Sequence, residues 1–109
     1  MRPLSTIKRE TARAFDISVT EITARSTTHR VARPRIAAYL LSRELTNNSY
    51  PQIGEFWARD HTTILSGVQS AQIYYGYYPA YASKVERARR ACVKELRLSG
   101  EARADQEAQ

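Results

Sequence analysis

The sequence predicts an all-α fold, a compact helical bundle, and three observations lead to it. Glycine and proline are scarce, with 4 of each in 109 residues, so few positions interrupt regular structure. No stretch of any length alternates apolar and polar residues with the period of a half-buried strand. Apolar residues return every three or four positions instead, and a hydrophobic content of 42% supplies one core for a chain of this size.

The elements follow in order. A first helix is expected from about Leu4 to Phe15, with Ile7, Thr11, Ala14 and Phe15 on one side. Asp16-Ile17 breaks it, and Ser18 or Thr20 can cap a short helical turn through Glu21 and Ile22. Thr23 to Thr28 reads as a polar loop carrying Arg25. A long helix from about Val31 to Leu45 carries an apolar stripe of Ile36, Leu40 and Leu41, flanked by Ala37 and Tyr39. Pro34 lies early in it, where the first-turn N–H groups have no helical partner anyway. Thr46-Asn47-Asn48 ends this helix, since Asn accepts the left-handed conformation that such a stop often needs.

Ser49-Tyr50-Pro51-Gln52 starts a fresh helix, with Ser49 at the N-cap and Gln52 where a capping box places Glu or Gln. That helix is short, about Tyr50 to Trp57, and Ile53, Phe56 and Trp57 are its core residues. Ala58-Arg59 is a tight turn, and Asp60 caps a helix running to about Tyr74. The first turn of that helix is wholly polar, while Ile64, Leu65, Val68 and Ala71 form an apolar face behind it. Gly76 and Pro79 mark a break within a run of tyrosines, and a basic helix from about Ala80 to Leu98 packs through Val85, Ala88, Cys92, Val93 and Leu96. One domain is expected over 1–98, with 99–109 a polar, disordered tail. The start at Met1 is read as that of a complete small protein.

Charge narrows the partner. Lys and Arg number 17 against 11 Asp and Glu, and 14 of the 17 are Arg, the side chain whose planar fork suits phosphate oxygens and guanine edges. Between Ile22 and Arg43 no acid occurs, yet Arg25, Arg30, Arg33, Arg35 and Arg43 do. A solvated face would intersperse acids, so a phosphate-bearing partner is the better account. Other classes find little support. Cys92 is the single cysteine and His29 and His61 are far apart, so neither a disulfide nor a zinc site is expected, and no cofactor. No apolar run approaches the ~20 residues of a membrane span. Asp60 beside His61 resembles half of a catalytic pair, but no Ser, Cys or metal ligand is placed to use it. The chain is therefore expected not to be an enzyme and to have no small-molecule substrate.

A short helix, a tight turn, and a helix with a polar first turn and an apolar rear make a helix-turn-helix. The second helix offers short polar side chains to base edges, and the first holds it at a fixed angle. At this point the residues resemble a family. Arg59-Asp60-His61-Thr62-Thr63-Ile64-Leu65 is similar to the signature of the C-terminal DNA-binding domain of the bacterial replication initiator DnaA. So are Val31-Ala32-Arg33-Pro34-Arg35, Leu40, Arg43-Glu44-Leu45-Thr46-Asn47, and Pro51, Ile53 and Gly54. The resemblance covers roughly residues 5 to 97 and implies a Trp-repressor-like helical bundle that reads a short asymmetric duplex box similar to TTATCCACA.

It further implies that Asp60, His61 and Thr62 face bases in the major groove, with Pro51 on a thymine methyl or sugar. Arg59, Thr63, Arg33, Arg35 and Arg43 would hold phosphates. A carboxylate can accept from cytosine N4, and threonine offers hydroxyl and methyl to adenine or thymine. Two departures stand out. The family's pair of glycines before the Arg-Asp-His block is replaced by Trp57 and Ala58, in a turn one residue shorter. The arginine that the family inserts into the minor groove aligns with Thr27, leaving Arg25 or Arg30 to serve as that arm.

The chain is thus expected to be a cytoplasmic, nucleoid-associated bacterial or phage protein that binds duplex DNA at initiator-like boxes and regulates replication initiation or nearby transcription. These 109 residues carry no GxxxxGK[ST] phosphate loop, so no ATPase activity is expected of them. The alternative is an adaptor that meets the replication initiator or its regulators through a patch of Tyr74, Tyr75, Tyr77, Tyr78 and Tyr81.

Overall fold

A computed structural model of the chain describes residues 2–98 and Gly100; apart from Gly100, the tail expected over 99–109 lies outside the described residues. Six helices follow one another: α1 (Arg2–Ala14), α2 (Val19–Thr23), α3 (His29–Leu45), α4 (Tyr50–Trp57), α5 (His61–Tyr77) and α6 (Pro79–Leu98). No strand occurs among the described residues.

The local signals act as the sequence requires. Ser18 closes a capping box with Glu21 at the start of α2, and Ser49 closes one with Gln52 at the start of α4. Each box satisfies two backbone donors that the first helical turn would leave open. Helix α3 is the hub, in contact with all five other helices. It buries residues nearly all round, among them Val31, Ala37, Ala38, Tyr39, Leu41 and Leu45, where the sequence suggested a single stripe. Helix α6 crosses α1 and α5 and covers them with Tyr81, Val85, Ala88, Cys92 and Leu96. Burial pushes the Cys92 thiol up to about 12, so it behaves as a small core hydrophobe.

The start of α3 and the end of α5 differ from the sequence reading. Helix α3 begins at His29, so Pro34 sits in its second turn, and the acceptor deprived of a donor is the carbonyl of exposed Arg30. Gly76 does not end α5: a single exposed glycine costs only about 1 kcal/mol in a helix, and the helix runs on to Tyr77. The break falls at Tyr78, in an extended conformation (φ −121°, ψ 101°), because the ring of the following Pro79 disfavours the helical region for the residue before it.

Candidate nucleic-acid interface

Helices α4 and α5 form a joint whose geometry rests on two small residues. Helix α4 ends with Ala58 in the left-handed conformation (φ 54°, ψ 47°). Arg59 N–H donates to the Gly54 carbonyl at 2.8 Å and Ala58 N–H to that of Glu55 at 3.2 Å, the paired bonds of a Schellman stop with alanine where glycine is usual. A Cβ on Gly54 would lie 2.5 Å from the Arg59 carbonyl oxygen and 3.4 Å from the His61 nitrogen. Only a glycine there lets the first turn of α5 rest directly on α4. Trp57 is a core anchor, edge-on to the Tyr39 ring at 5.2 Å. Helix α5 also crosses α3 closely, at Gly67, whose Cβ would meet the Tyr39 ring at 2.7 Å.

The joint presents the first turn of α5 to solvent. Asp60, His61, Thr62 and Thr63 are all exposed, whereas Ile64, Gly67, Val68 and Ala71 are buried. Asp60 caps the helix by accepting from the Thr62 N–H at 3.3 Å and from the Thr62 hydroxyl. These two bonds hold its carboxyl below the ordinary aspartate value. His61 Nδ1 lies 3.6 Å from the other Asp60 oxygen. Because Thr62 spends its hydroxyl proton on Asp60, it can meet an outside group only through its methyl or as an acceptor. From His61 to Ser83 there is no Asp, Glu, Lys or Arg, so α5 can discriminate by hydrogen bonds and shape but adds little attraction to phosphate.

The positive charge lies alongside. A groove of about 400 Å³ runs between α5 and the segment from Arg25 to Tyr39, and no Asp or Glu lines it. Arg25, Arg33, Arg35, Arg59 and Thr63 all border it, which brings five of the residues singled out in the sequence to one place. Their tasks diverge. Arg25 donates to the Ala58 carbonyl at 3.3 Å, and Arg59 reaches back to the carbonyls of Thr23 and Ala24 at 3.5 and 3.4 Å. The basic loop is thereby latched to the turn of the joint. Arg33 lies over the Tyr74 ring at 4.8 Å.

Arg35 has a task different from the one expected. It is 7% exposed, and its guanidinium donates to the carbonyls of Ile22 (2.8 Å), Ser26 (2.9 Å) and Ala24. It is a strut that shapes the loop from within, and these three acceptors occupy all three of its nitrogens. Arg43 stands apart from the groove, donating to the Asn48 carbonyl at 2.8 Å and stacking on Tyr50 at 4.5 Å, one residue before exposed Pro51. Arg30 is paired with Glu21.

The groove also includes two serines to which the sequence analysis gives no role. Ser66 and Ser70 continue the line of Thr63 along α5, and Thr27 and His29 border the opposite side. Hydroxyls three and four positions apart share one helical face, which was the available signal. The five tyrosines do not form one exposed patch. Tyr81 is 8% exposed and donates to the Arg33 carbonyl at 2.8 Å, and half-buried Tyr74 packs on it. Tyr75 donates to Glu86. Tyr77 and Tyr78 remain open, at 77% and 49%.

Among the described residues there is no cluster of His, Cys, Asp and Glu that could hold a metal ion, and no helix long and apolar enough to cross a membrane. A protein-family model described as the bacterial dnaA protein helix-turn-helix matches residues 4–70, from α1 to Ser70 within α5.

Proposed function

The chain belongs to the bacterial DnaA helix-turn-helix family, a family of DNA-binding domains, and we propose that it reads duplex DNA sequence-specifically at DnaA-box-like sites. Binding there would regulate replication initiation or transcription nearby. The observation that carries this reading is the exposed polar turn Asp60–Thr63, seated on α4 beside a groove bordered by arginines and free of carboxylates. The turn enters the major groove. Asp60 accepts from a cytosine amino group, His61 meets a neighbouring base edge, and Thr62 offers its methyl to thymine or its oxygen to an amino group. Pro51 packs on a thymine methyl or sugar. Arg59, Thr63, Arg33 and Arg25 hold phosphates along the groove, and Arg43 holds one beside Pro51. Arg35 acts through the loop it shapes. A minor-groove arm would require Arg25 to give up both Ala58 and its phosphate, or Arg30 to leave Glu21.

The test is fluorescence-anisotropy binding to a box duplex and a scrambled duplex over a salt series. Box binding tighter by about tenfold or more is expected. About four arginines on phosphates give a slope of log K against log salt of about −4. Equal affinity for the two duplexes would overturn sequence-specific reading.

A second reading is favoured by one observation. Ile73 and Tyr77, 57% and 77% exposed, stand one turn apart on uncharged α5, an apolar contact surface for the full-length initiator or one of its regulators. Co-elution of the purified proteins at high salt without DNA, lost in Tyr77→Ser, is its expected signature.

A further inference from the structure

A second concavity, of about 370 Å³ and within the size range of small-ligand sites, is built half from residues within the family match and half from residues beyond it. It lies between the start of α3, the C-terminal end of α1 and the start of α6, and shares His29, Arg33 and Tyr74 with the groove beside α5. Its walls are aromatic: Phe15, Tyr74, Tyr78 and Tyr81. The rings are fixed in a connected series, Phe15 to Tyr81 at 5.3 Å, Tyr81 to Tyr74 at 5.8 Å, and Tyr74 to Tyr78 at 5.8 Å.

Its charges are all of one sign. Arg30, Arg33 and Lys84 border it and no carboxylate does. The Arg33 guanidinium lies over both Tyr74 (4.8 Å) and Tyr78 (5.7 Å), and its Nε is buried with no hydrogen-bond partner. A buried donor left unsatisfied costs stability, and a small shift of the guanidinium toward a ligand's acceptor would remove that cost. A site for a neutral apolar molecule would not collect cations, and a site for a simple anion has no use for four rings. The combination suits a flat aromatic group that carries a phosphate.

We propose that this cavity takes one unstacked nucleotide, its base against Tyr78 and Tyr74 and its phosphate between Arg33 and Lys84. The occupant can be a nucleotide of single-stranded DNA or a free nucleoside monophosphate; both present the same ring and phosphate. Tyr78, half exposed at the mouth, is the platform. The proposal stands on residues outside the recognition turn and does not require box binding.

The test uses 2-aminopurine, whose emission is quenched on stacking. The full chain is titrated into 2-aminopurine deoxynucleoside 5′-monophosphate and, separately, into a single-stranded tetranucleotide containing that base. Quenching that saturates is expected, weakened about tenfold or more in Tyr78→Ala and Lys84→Gln and unchanged in Tyr77→Ala, whose ring lies outside the cavity. Quenching by both probes assigns a mononucleotide site, and quenching by the tetranucleotide alone assigns a strand site; either supports the proposal. No quenching by either probe overturns it, as does quenching that Tyr78→Ala leaves intact while its circular dichroism shows it folded. A box duplex titrated in parallel separates the two readings, because loss of box recognition with quenching retained removes only the proposed function.

Discussion

The arginine-rich segment between Ile22 and Arg43 and the helix α5 face each other across one groove, and they are chemical opposites. The segment carries five arginines and no acid; α5 beyond its cap carries no Asp, Glu, Lys or Arg. In the segment the charges are held by the protein itself: Arg35 within the loop, Arg25 on the turn, Arg33 on two rings, Arg30 on Glu21. On α5 the exposed polar groups of the first turn bond only among themselves. The difference separates two jobs that a DNA reader must do. Charge fixed in place supplies attraction and register without sequence information, and a turn without basic side chains supplies discrimination without much affinity.

The sharpest way to break this comparison is Arg35→Met. If Arg35 were a phosphate ligand, its loss would lower the salt slope by about one unit and leave folding alone. As a buried strut its loss leaves the Ile22 and Ser26 carbonyls without their side-chain donor and the Ala24 carbonyl with only the longer Arg59 contact, at a cost of about 3 kcal/mol or more. For a domain near this size that is a fall in Tm of roughly 12 °C or more, accompanied by loss of DNA binding because the loop no longer meets the turn. Thermal denaturation decides it: an unchanged Tm would return Arg35 to the DNA face. Lysine should not rescue, since a single ammonium cannot span three acceptors arranged about a planar fork.

A smaller pair of effects separates the two regions directly. His61→Ala and Thr62→Ala are expected to lose roughly 1–3 kcal/mol of preference for the box over a scrambled duplex, with the salt slope unchanged. Arg59→Gln is expected to weaken both duplexes alike and to reduce the slope by about one unit. Anisotropy titrations at several salt concentrations measure both quantities at once. A loss of preference in Arg59→Gln, or a change of slope in His61→Ala, would show that the two jobs are not divided in this way.

How far this was legible in the sequence depends on whether a signal was local. The capping box at Ser49, the cap at Asp60 and the apolar rear of α5 are written in neighbouring residues, and they place the joint within a residue or two. The direction in which a long side chain turns is not local. Arg35 belongs to a basic run that reads as surface, and only the buried positions four before and four after it, Val31 and Tyr39, hint that it faces inward. Tyr81 resembles its tyrosine neighbours by composition, although it begins the spacing of Val85, Ala88, Cys92 and Leu96 that buries one face of α6. The latch between Arg25, Arg59 and the two turns joins residues over thirty positions apart, and no window of sequence contains it.

The turn itself gives a modest stabilising prediction. Ala58 is held at φ 54°, where a residue with a Cβ pays about 1–2 kcal/mol that glycine does not. Glycine loses part of that advantage through its greater freedom in the unfolded chain. Ala58→Gly should therefore stabilise by about 0.5–1 kcal/mol, seen as a higher urea midpoint at constant m value. Box preference should be retained, since the Schellman bonds that set the angle between α4 and α5 are kept. A lower midpoint would mean that the alanine side chain contributes packing that its backbone geometry conceals.

The smallest effect concerns Asp60, which serves both regions: it caps α5, and its carboxylate is a candidate base acceptor. Thr62 holds the folded-state pKa below the ordinary value. A depressed carboxylate contributes stability that is complete above the unfolded-state pKa, about 3.9, and that contribution is lost as pH falls through the lower folded value. Asn caps a helix about as well as Asp but cannot titrate. The wild type should therefore exceed Asp60→Asn slightly in urea midpoint near neutrality, through the favourable charge at the helix N-terminus, and the gap should close on acidification below about pH 4. Full exposure of the group and screening by salt keep the gap small. A gap that widens on acidification would reverse the sign of the coupling and would mean that the carboxylate is strained by its place at the turn, held there for the sake of what it meets outside the protein.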